Sequence, residues 1–260
     1  MGGPAERRIL QDEREVAHEA AEFVVWLAEQ TLTTGRTFRV ALSGGSTPKL
    51  LYEALARPDF RKHVDWPSVE FYFGDERCVP PTDADSNFRM AEQALFRPLA
   101  IRSDRVFRMP GEADDLAEAA RRYEALIRER FHAPAPAWPR FDLILLGLGD
   151  DGHTASLFPH TPALQEAARA VLATQSPKGA PNRLTFTLPL INQAATVVFV
   201  VTGTGKAAVV KAVLENLDMD AAHYPAKLVR PVHGRLIWFL DRGAGSELAP
   251  EKQLMTYEEE

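Results

Sequence analysis

Phe141-Asp142-Leu143-Ile144-Leu145-Leu146-Gly147-Leu148-Gly149-Asp150-Asp151-Gly152-His153 begins as an almost unbroken apolar run and ends in a polar, glycine-containing turn. A strand with one wet face alternates apolar and polar residues. A run without alternation reads as a central strand covered on both faces, the habit of parallel sheets. In an open α/β sheet, ligands bind beyond the carboxyl ends of the strands, so the turn at 147–153 is where chemistry is expected.

Outward from that strand, helical and strand patterns alternate. Val16, Ala20, Phe23, Val24 and Leu27 have helical spacing and predict a helix over Glu13 to Leu32. Phe38 to Leu42 reads as a short strand, and Thr47-Pro48 opens a helix over Lys49 to Ala56. Further strands are expected at Val69 to Phe73, Val171 to Thr174, Arg183 to Thr187, Thr196 to Val201 and Arg235 to Leu240. Helices are expected at Ser86 to Phe96, Ala113 to Phe131 and Lys206 to Leu217. This alternation predicts an α/β fold, a mostly parallel sheet flanked by helices on both faces. One domain over residues 1–260 is expected, with the proline-rich segment 133–139 as a connection and the ends, about 1–8 and 250–260, flexible.

Composition narrows the function classes. Of 260 residues, 45% are hydrophobic, enough for a sizeable buried core. The formal charge of -6, without basic tracts, leaves no electrostatic footprint for nucleic acid or an anionic membrane. Local lysines and arginines can still hold a small anion. Cys78 is the single cysteine, which excludes an intramolecular disulfide and a thiolate metal cluster. Residues 1–8 contain no signal-peptide core, and no stretch approaches the ~18 apolar residues of a membrane span. A cytoplasmic protein is expected.

Four predicted strands end in polar turns: Ser43 to Ser46, Gly74 to Arg77, Gly147 to His153 and Thr202 to Lys206. Meeting at one sheet edge, they would build one site. Ser43-Gly44-Gly45-Ser46-Thr47 suits a phosphate, because its glycines admit close backbone approach and a helix N-terminus follows. A capped tight turn would look the same. Lys206 follows a similar turn as a second anion contact or a surface lysine. The segment is no Walker loop, since the next residue is Ala207.

Gly147-Leu148-Gly149-Asp150-Asp151-Gly152 formally matches the dinucleotide fingerprint, but two aspartates would occupy the pyrophosphate position and Pro159 precludes the helix. The reading preferred here pairs Asp151 with His153: a carboxylate fixes the imidazole tautomer and raises its basicity, which suits a general base. A structural histidine is the plainer alternative. Zinc on Asp151, His153 and His160 is open on residue types alone, without any supporting spacing. Gly74-Asp75-Glu76-Arg77 offers a guanidinium for an anion or oxyanion, or a salt-bridged rim. Beside it, Cys78 reads as a bystander. No serine lies in a GxSxG elbow.

Taken together these segments resemble a known family. Ala41 to Pro48 is similar to the phosphate loop of the glucosamine-6-phosphate isomerase/6-phosphogluconolactonase family. Phe73 to Arg77 with Ser86-Asn87, and Leu146 to Pro159, resemble the lactonase forms of two further motifs. The resemblance implies a Rossmann-like three-layer sandwich of the glucosamine-6-phosphate deaminase type. It also implies hydrolysis of 6-phospho-D-glucono-1,5-lactone to 6-phosphogluconate, in the oxidative pentose phosphate pathway.

By that resemblance Ser43, Gly44, Gly45, Ser46, Lys206 and Arg183 would hold phosphate, His153 would be the base and Asp151 its orienter. Arg77 would stabilise negative charge, with Asp75 beside it as a catalytic or supporting acid. Deaminases of the family carry a catalytic Glu where this chain has Phe158, which favours the lactonase. His160 stands where relatives often have glycine. No metal, no cofactor and no macromolecular partner is expected, and a monomer is expected over a weak dimer. A deaminase or isomerase of the same fold and a non-catalytic sugar-phosphate sensor are the alternatives.

Overall fold

The computed structural model describes residues 5–177, 179–216 and 220–250. Among the described residues the strands are nine: β1 (Glu6–Leu10), β2 (Phe38–Leu42), β3 (Val69–Phe73), β4 (Asp75–Arg77), β5 (Leu143–Leu146), β6 (Val171–Gln175), β7 (Asn182–Phe186), β8 (Thr196–Val201) and β9 (Arg235–Asp241). Helices are α1 (Glu13–Leu32), α2 (Ser46–Leu55), α3 (Pro58–Arg61), α4 (Asn87–Ala91), α5 (Leu116–Arg130), α6 (Leu188–Ile191) and α7 (Ala207–Leu214). The fold is a three-layer α/β sandwich, its central sheet flanked by helices.

The main sheet runs β1-β9-β8-β5-β2-β3, and every neighbouring pair is parallel. All four residues of β5 are buried, as its unbroken apolar pattern requires. From β2 the chain steps to β3 on one side and then returns to β5 on the other. The order therefore reverses between β2 and β5, and a crevice opens there beyond their carboxyl ends.

A second sheet, β4-β7-β6, is antiparallel. The short link between β6 and β7 cannot make a parallel crossover, which needs a dozen or more residues. Gly74 is the branch point: its N–H donates to Leu42 O (2.8 Å) while its carbonyl accepts from Phe186 N (2.7 Å). Thus one residue stitches the main sheet to the small one.

Local chemistry explains the helices. Asp12 caps α1 by accepting from Arg14 N and Glu15 N at 2.9 and 3.0 Å, and the face carrying Val16, Ala20, Phe23 and Val24 is buried. Asp115 caps α5 through Glu118 N at 2.9 Å. In the core, Phe199 and Trp238 of adjacent strands stack with centroids 3.9 Å apart.

Three expectations change. Residues 6–8 are not a loose end: they pair with β9, as Arg8 lies over the rings of Phe23 and Phe239 and Glu6 binds Arg235 at 3.0 Å. The expected helix over 86–96 is α-helical only to Ala91 and continues as a π-helical turn, Glu92–Phe96. The last helix is shorter and follows a 3-10 turn, Thr204–Lys206. Its expected end at Leu217, like residues 1–4 and 251–260, lies outside the described residues.

Candidate active site

The strands β8, β5, β2 and β3 are consecutive in the sheet, so the four polar turns that follow them converge. They line one cleft of about 330 Å³. Every residue singled out for the site contributes to its wall: Ser43, Gly44, Gly45 and Ser46; Asp75 and Arg77; Asp151 and His153; Arg183 and Lys206.

The loop after β2 is built for close approach. Buried Tyr52, nearly two turns into α2, accepts from Ser43 N (3.0 Å) and donates to Ser43 O (2.8 Å), locking the loop from behind. Gly45 takes φ +109°, a conformation that side chains rarely permit, and a Cβ on Gly44 would fall 1.9 Å from Asn87 Oδ1. The first turn of α2 has no side-chain cap among the described residues, and Gly45, Ser46 and Thr47 at its start line the cleft, where uncapped N–H groups can donate to an anion. Ser43 Oγ is buried and has no hydrogen-bond partner among the described residues. Thr47 and Thr202 join this loop to the one after β8 through hydroxyls 2.9 Å apart.

Beyond β5 the chain makes a closed turn, in which Gly152 N donates to Gly149 O (3.0 Å) and Gly149 N to His153 O (2.9 Å). It brings His153 Nδ1 to 2.5 Å from Asp151 Oδ1, and His153 N donates to the same oxygen at 3.1 Å. Burial works against ionisation of Asp151, yet the hydrogen bonds from His153 outweigh it and hold the carboxyl below its usual range. With Nδ1–H committed to a carboxylate, Nε2 is the free base. Phe158 packs on the imidazole, ring centroids 4.7 Å apart. The grouping of His160 with Asp151 and His153, open on residue types alone, is not found among the described residues; His160 lies instead beside His223 and Asp220.

Across the cleft, β4 and β7 place Arg77 directly opposite Arg183. Neither has an ion pair among the described residues. Arg77 donates to Asp85 O at 2.6 Å, and Arg183 to the carbonyls of Ala180 and Asn182. Burial, then the neighbouring Arg77, depress the Arg183 guanidinium from its usual value. Like charges facing across a strand pair are destabilising; the Asp75 and Asp85 carboxylates offset part of this, and a bound anion beside the guanidiniums would offset more. Lys206 reaches the opposite rim, donating to Leu148 O (2.8 Å) and Asp150 Oδ1 (2.5 Å).

The acids of the 74–77 segment have other duties. Asp75 accepts from Ser156 Oγ at 2.7 Å and from Asn87 Nδ2 at 3.3 Å. Both of its oxygens are therefore held by the scaffold while Asp75 lines the cleft, which fits the supporting one of its two expected roles. Glu76 accepts from the backbone N–H groups of Arg77, Asn87 and Phe88 at 2.7–2.8 Å. Burial pushes its carboxyl up despite these donors, and it lies behind the cleft wall. Burial also pushes the Cys78 thiol up to about 11, which removes it as a nucleophile at neutral pH. Sequence reasoning passed over Tyr52, Ser156 and Tyr224. Their importance lies in contacts across the fold, with no local motif to announce them.

Comparison with known proteins identifies the family. The model of the family described as glucosamine-6-phosphate isomerases/6-phosphogluconolactonase matches residues 11–238. The 6-phosphogluconolactonase of Synechocystis sp. is 46% identical over 211 residues, covering 81% of this chain and 85% of its own. Among solved structures, 6-phosphogluconolactonase from Trypanosoma cruzi superimposes with a TM-score of 0.85 at 30% identity, covering 96% of this chain and 99% of that one. A monomeric glucosamine-6-phosphate deaminase shares the fold, with a TM-score of 0.77 at 22% identity over 94% of this chain and all of its own. The chain belongs to the glucosamine-6-phosphate isomerase/6-phosphogluconolactonase family.

Proposed function

We propose that the protein is a 6-phosphogluconolactonase, hydrolysing 6-phospho-D-glucono-1,5-lactone to 6-phosphogluconate, the second step of the oxidative pentose phosphate pathway. One observation carries this reading: an oriented base, His153 on Asp151, shares its cleft with Arg77 and Arg183, which face each other without an ion pair among the described residues, and an apolar Phe158 backs the imidazole.

The steps follow from these groups. The substrate phosphate is bound among the Ser43 to Ser46 loop, the free N–H groups of α2, Arg183 and Lys206. Lys206 leaves Asp150 to do so. Anchoring the phosphate fixes the lactone carbonyl near the catalytic turn, so remote binding energy supplies orientation. His153 Nε2 takes a proton from water as its oxygen bonds to the carbonyl carbon. Asp151 holds the tautomer and stabilises the imidazolium. Arg77 faces the oxyanion. Collapse breaks the bond from carbonyl carbon to ring oxygen, and the imidazolium returns its proton to that oxygen. A lactone is an activated ester, so a general base worth about 10²–10⁴-fold is adequate.

A deaminase needs a further acid for ring opening and proton transfer. The buried Phe158 ring, against His153, offers none. The deciding experiment measures lactone disappearance, corrected for the spontaneous rate, alongside ammonia release from glucosamine 6-phosphate. Hydrolysis without ammonia is expected. Ammonia release at a comparable rate would replace this reading with the deaminase, and binding of phosphogluconate without either reaction would leave a sensor.

A further inference from the structure

Behind the catalytic turn, two remote segments meet at three exposed side chains. His160 adopts φ +56°, a left-handed conformation that costs most side chains of order 1 kcal/mol or more. Its N–H donates to Ala222 O at 3.2 Å, which ties the loop after Phe158 to the turn at 220–224. The consequence is a cluster: the His160 and His223 rings stand edge to face with centroids 4.3 Å apart, and Asp220 Oδ2 lies 3.6 Å from His223 Nδ1. One nitrogen from each imidazole and one Asp220 oxygen lie within 4.8 Å of one another. None of the three lines the catalytic cleft.

We propose that His160, His223 and Asp220 form a binding site for a divalent transition-metal ion of the zinc class. Two imidazoles with one carboxylate are the donors such ions select; calcium and magnesium want oxygen alone. Bonds of about 2.0–2.2 Å bring donor atoms to roughly 3.3 Å apart in a tetrahedron. All three side chains are exposed, so no core packing holds their rotamers away from that spacing. Three protein ligands leave a position for water, so the site is open and exchangeable, unlike a closed structural centre. Asp220 also caps its own turn, accepting from Ala222 N at 2.9 Å through Oδ1, which leaves Oδ2, the oxygen on the His223 side, for a ligand.

An ion here would cross-link the 158–161 loop to the 220–224 turn. The first carries Phe158, which packs on His153. The second carries Tyr224, whose Cδ1 sits 2.5 Å from where a Cβ on Gly152 would be. Through those two rings the site adjoins the catalytic turn without sharing a residue with it.

The test is zinc titration of the full chain, untagged and stripped with a chelator, followed by calorimetry. Cobalt absorption serves as a second readout. One zinc per chain is expected in wild type and in His153→Ala. His160→Gly and His223→Ala should each weaken binding about tenfold or more. Glycine takes φ +56° freely, so the metal-free melting temperature of His160→Gly should be at or above that of wild type, which establishes that it folds. Loss of zinc in His153→Ala, unchanged affinity in His160→Gly, or no binding at millimolar zinc would each overturn the proposal. None of these readouts depends on the lactonase assignment.

Discussion

Gly149→Ala separates the geometry of the base from its chemistry, because it leaves both His153 and Asp151 in the chain. A Cβ at position 149 would lie 2.0 Å from His153 Nδ1 and 2.8 Å from Asp151 Oδ1, where ordinary contact begins near 3.4 Å. The imidazole must therefore retreat by more than 1 Å, and its 2.5 Å bond to Asp151 cannot survive. The backbone has no reason to change. Gly149 is not among the glycines of positive φ, and its N–H and carbonyl bonds within the turn remain available to alanine. Misplacement of a catalytic group by about 1 Å costs about 10²-fold. That is about 2.7 kcal/mol of transition-state stabilisation. Phosphate contacts are untouched, so the loss should fall on kcat with KM nearly constant. The assay is steady-state lactone hydrolysis corrected for the uncatalysed rate, with a thermal melt to verify folding. Combining Gly149→Ala with Asp151→Asn should add little further loss, since both break one unit. A wild-type kcat, or a defect confined to KM, would refute the reasoning.

Other perturbations probe separate parts of the account. Arg183→Met relieves the cross-strand repulsion with Arg77, so the unliganded protein should melt no lower than wild type while KM rises about tenfold or more; an unchanged KM would remove Arg183 from phosphate binding. Lys206→Ala should likewise raise KM and leave kcat within a few-fold, measured in the same assay. Glu70→Gln tests the scaffold. Although burial opposes it, Arg130, Arg39 and Tyr72 hold the Glu70 carboxyl below its usual range. Its contribution is thus present above the unfolded-chain value of about 4.3 and lost as pH falls through the lower folded value. Denaturant unfolding should show a deficit of about 3 kcal/mol at pH 7 that shrinks below pH 4. A deficit independent of pH would contradict the ionised pairing.

Much of this architecture was legible in the sequence because the site is made of strand ends. The apolar run before Gly147 announced a buried central strand. Parallel neighbours on either side then brought Ser43, Arg77 and Lys206 to the same edge. Phe158 was legible for a different reason: its position in a motif, next to His153, carries chemical meaning without structure. What escaped notice depends on long-range pairing. Glu6-Arg7-Arg8 looks like a solvated end because an edge strand buries little, and its partner Ile237 is far along the chain. Arg77 and Arg183 could be named singly, but only the register of β4 on β7 shows that they oppose one another. Asp75 looked reactive beside an arginine. Its hydrogen-bond partners, Ser156 and Asn87, come from elsewhere in the chain and could not be read from the local motif. The same limit hid the meeting of His160 with Asp220 and His223, whose two segments touch only in the fold.

The central claim is that His153, oriented by Asp151, activates water against a bound phosphosugar lactone. It is tested most directly by comparing wild type with His153→Ala in the corrected lactonase assay while phosphogluconate binding is followed by calorimetry. The account predicts a fall of about 10²–10⁴-fold in kcat with product affinity retained. Turnover by His153→Ala at the wild-type rate would contradict it.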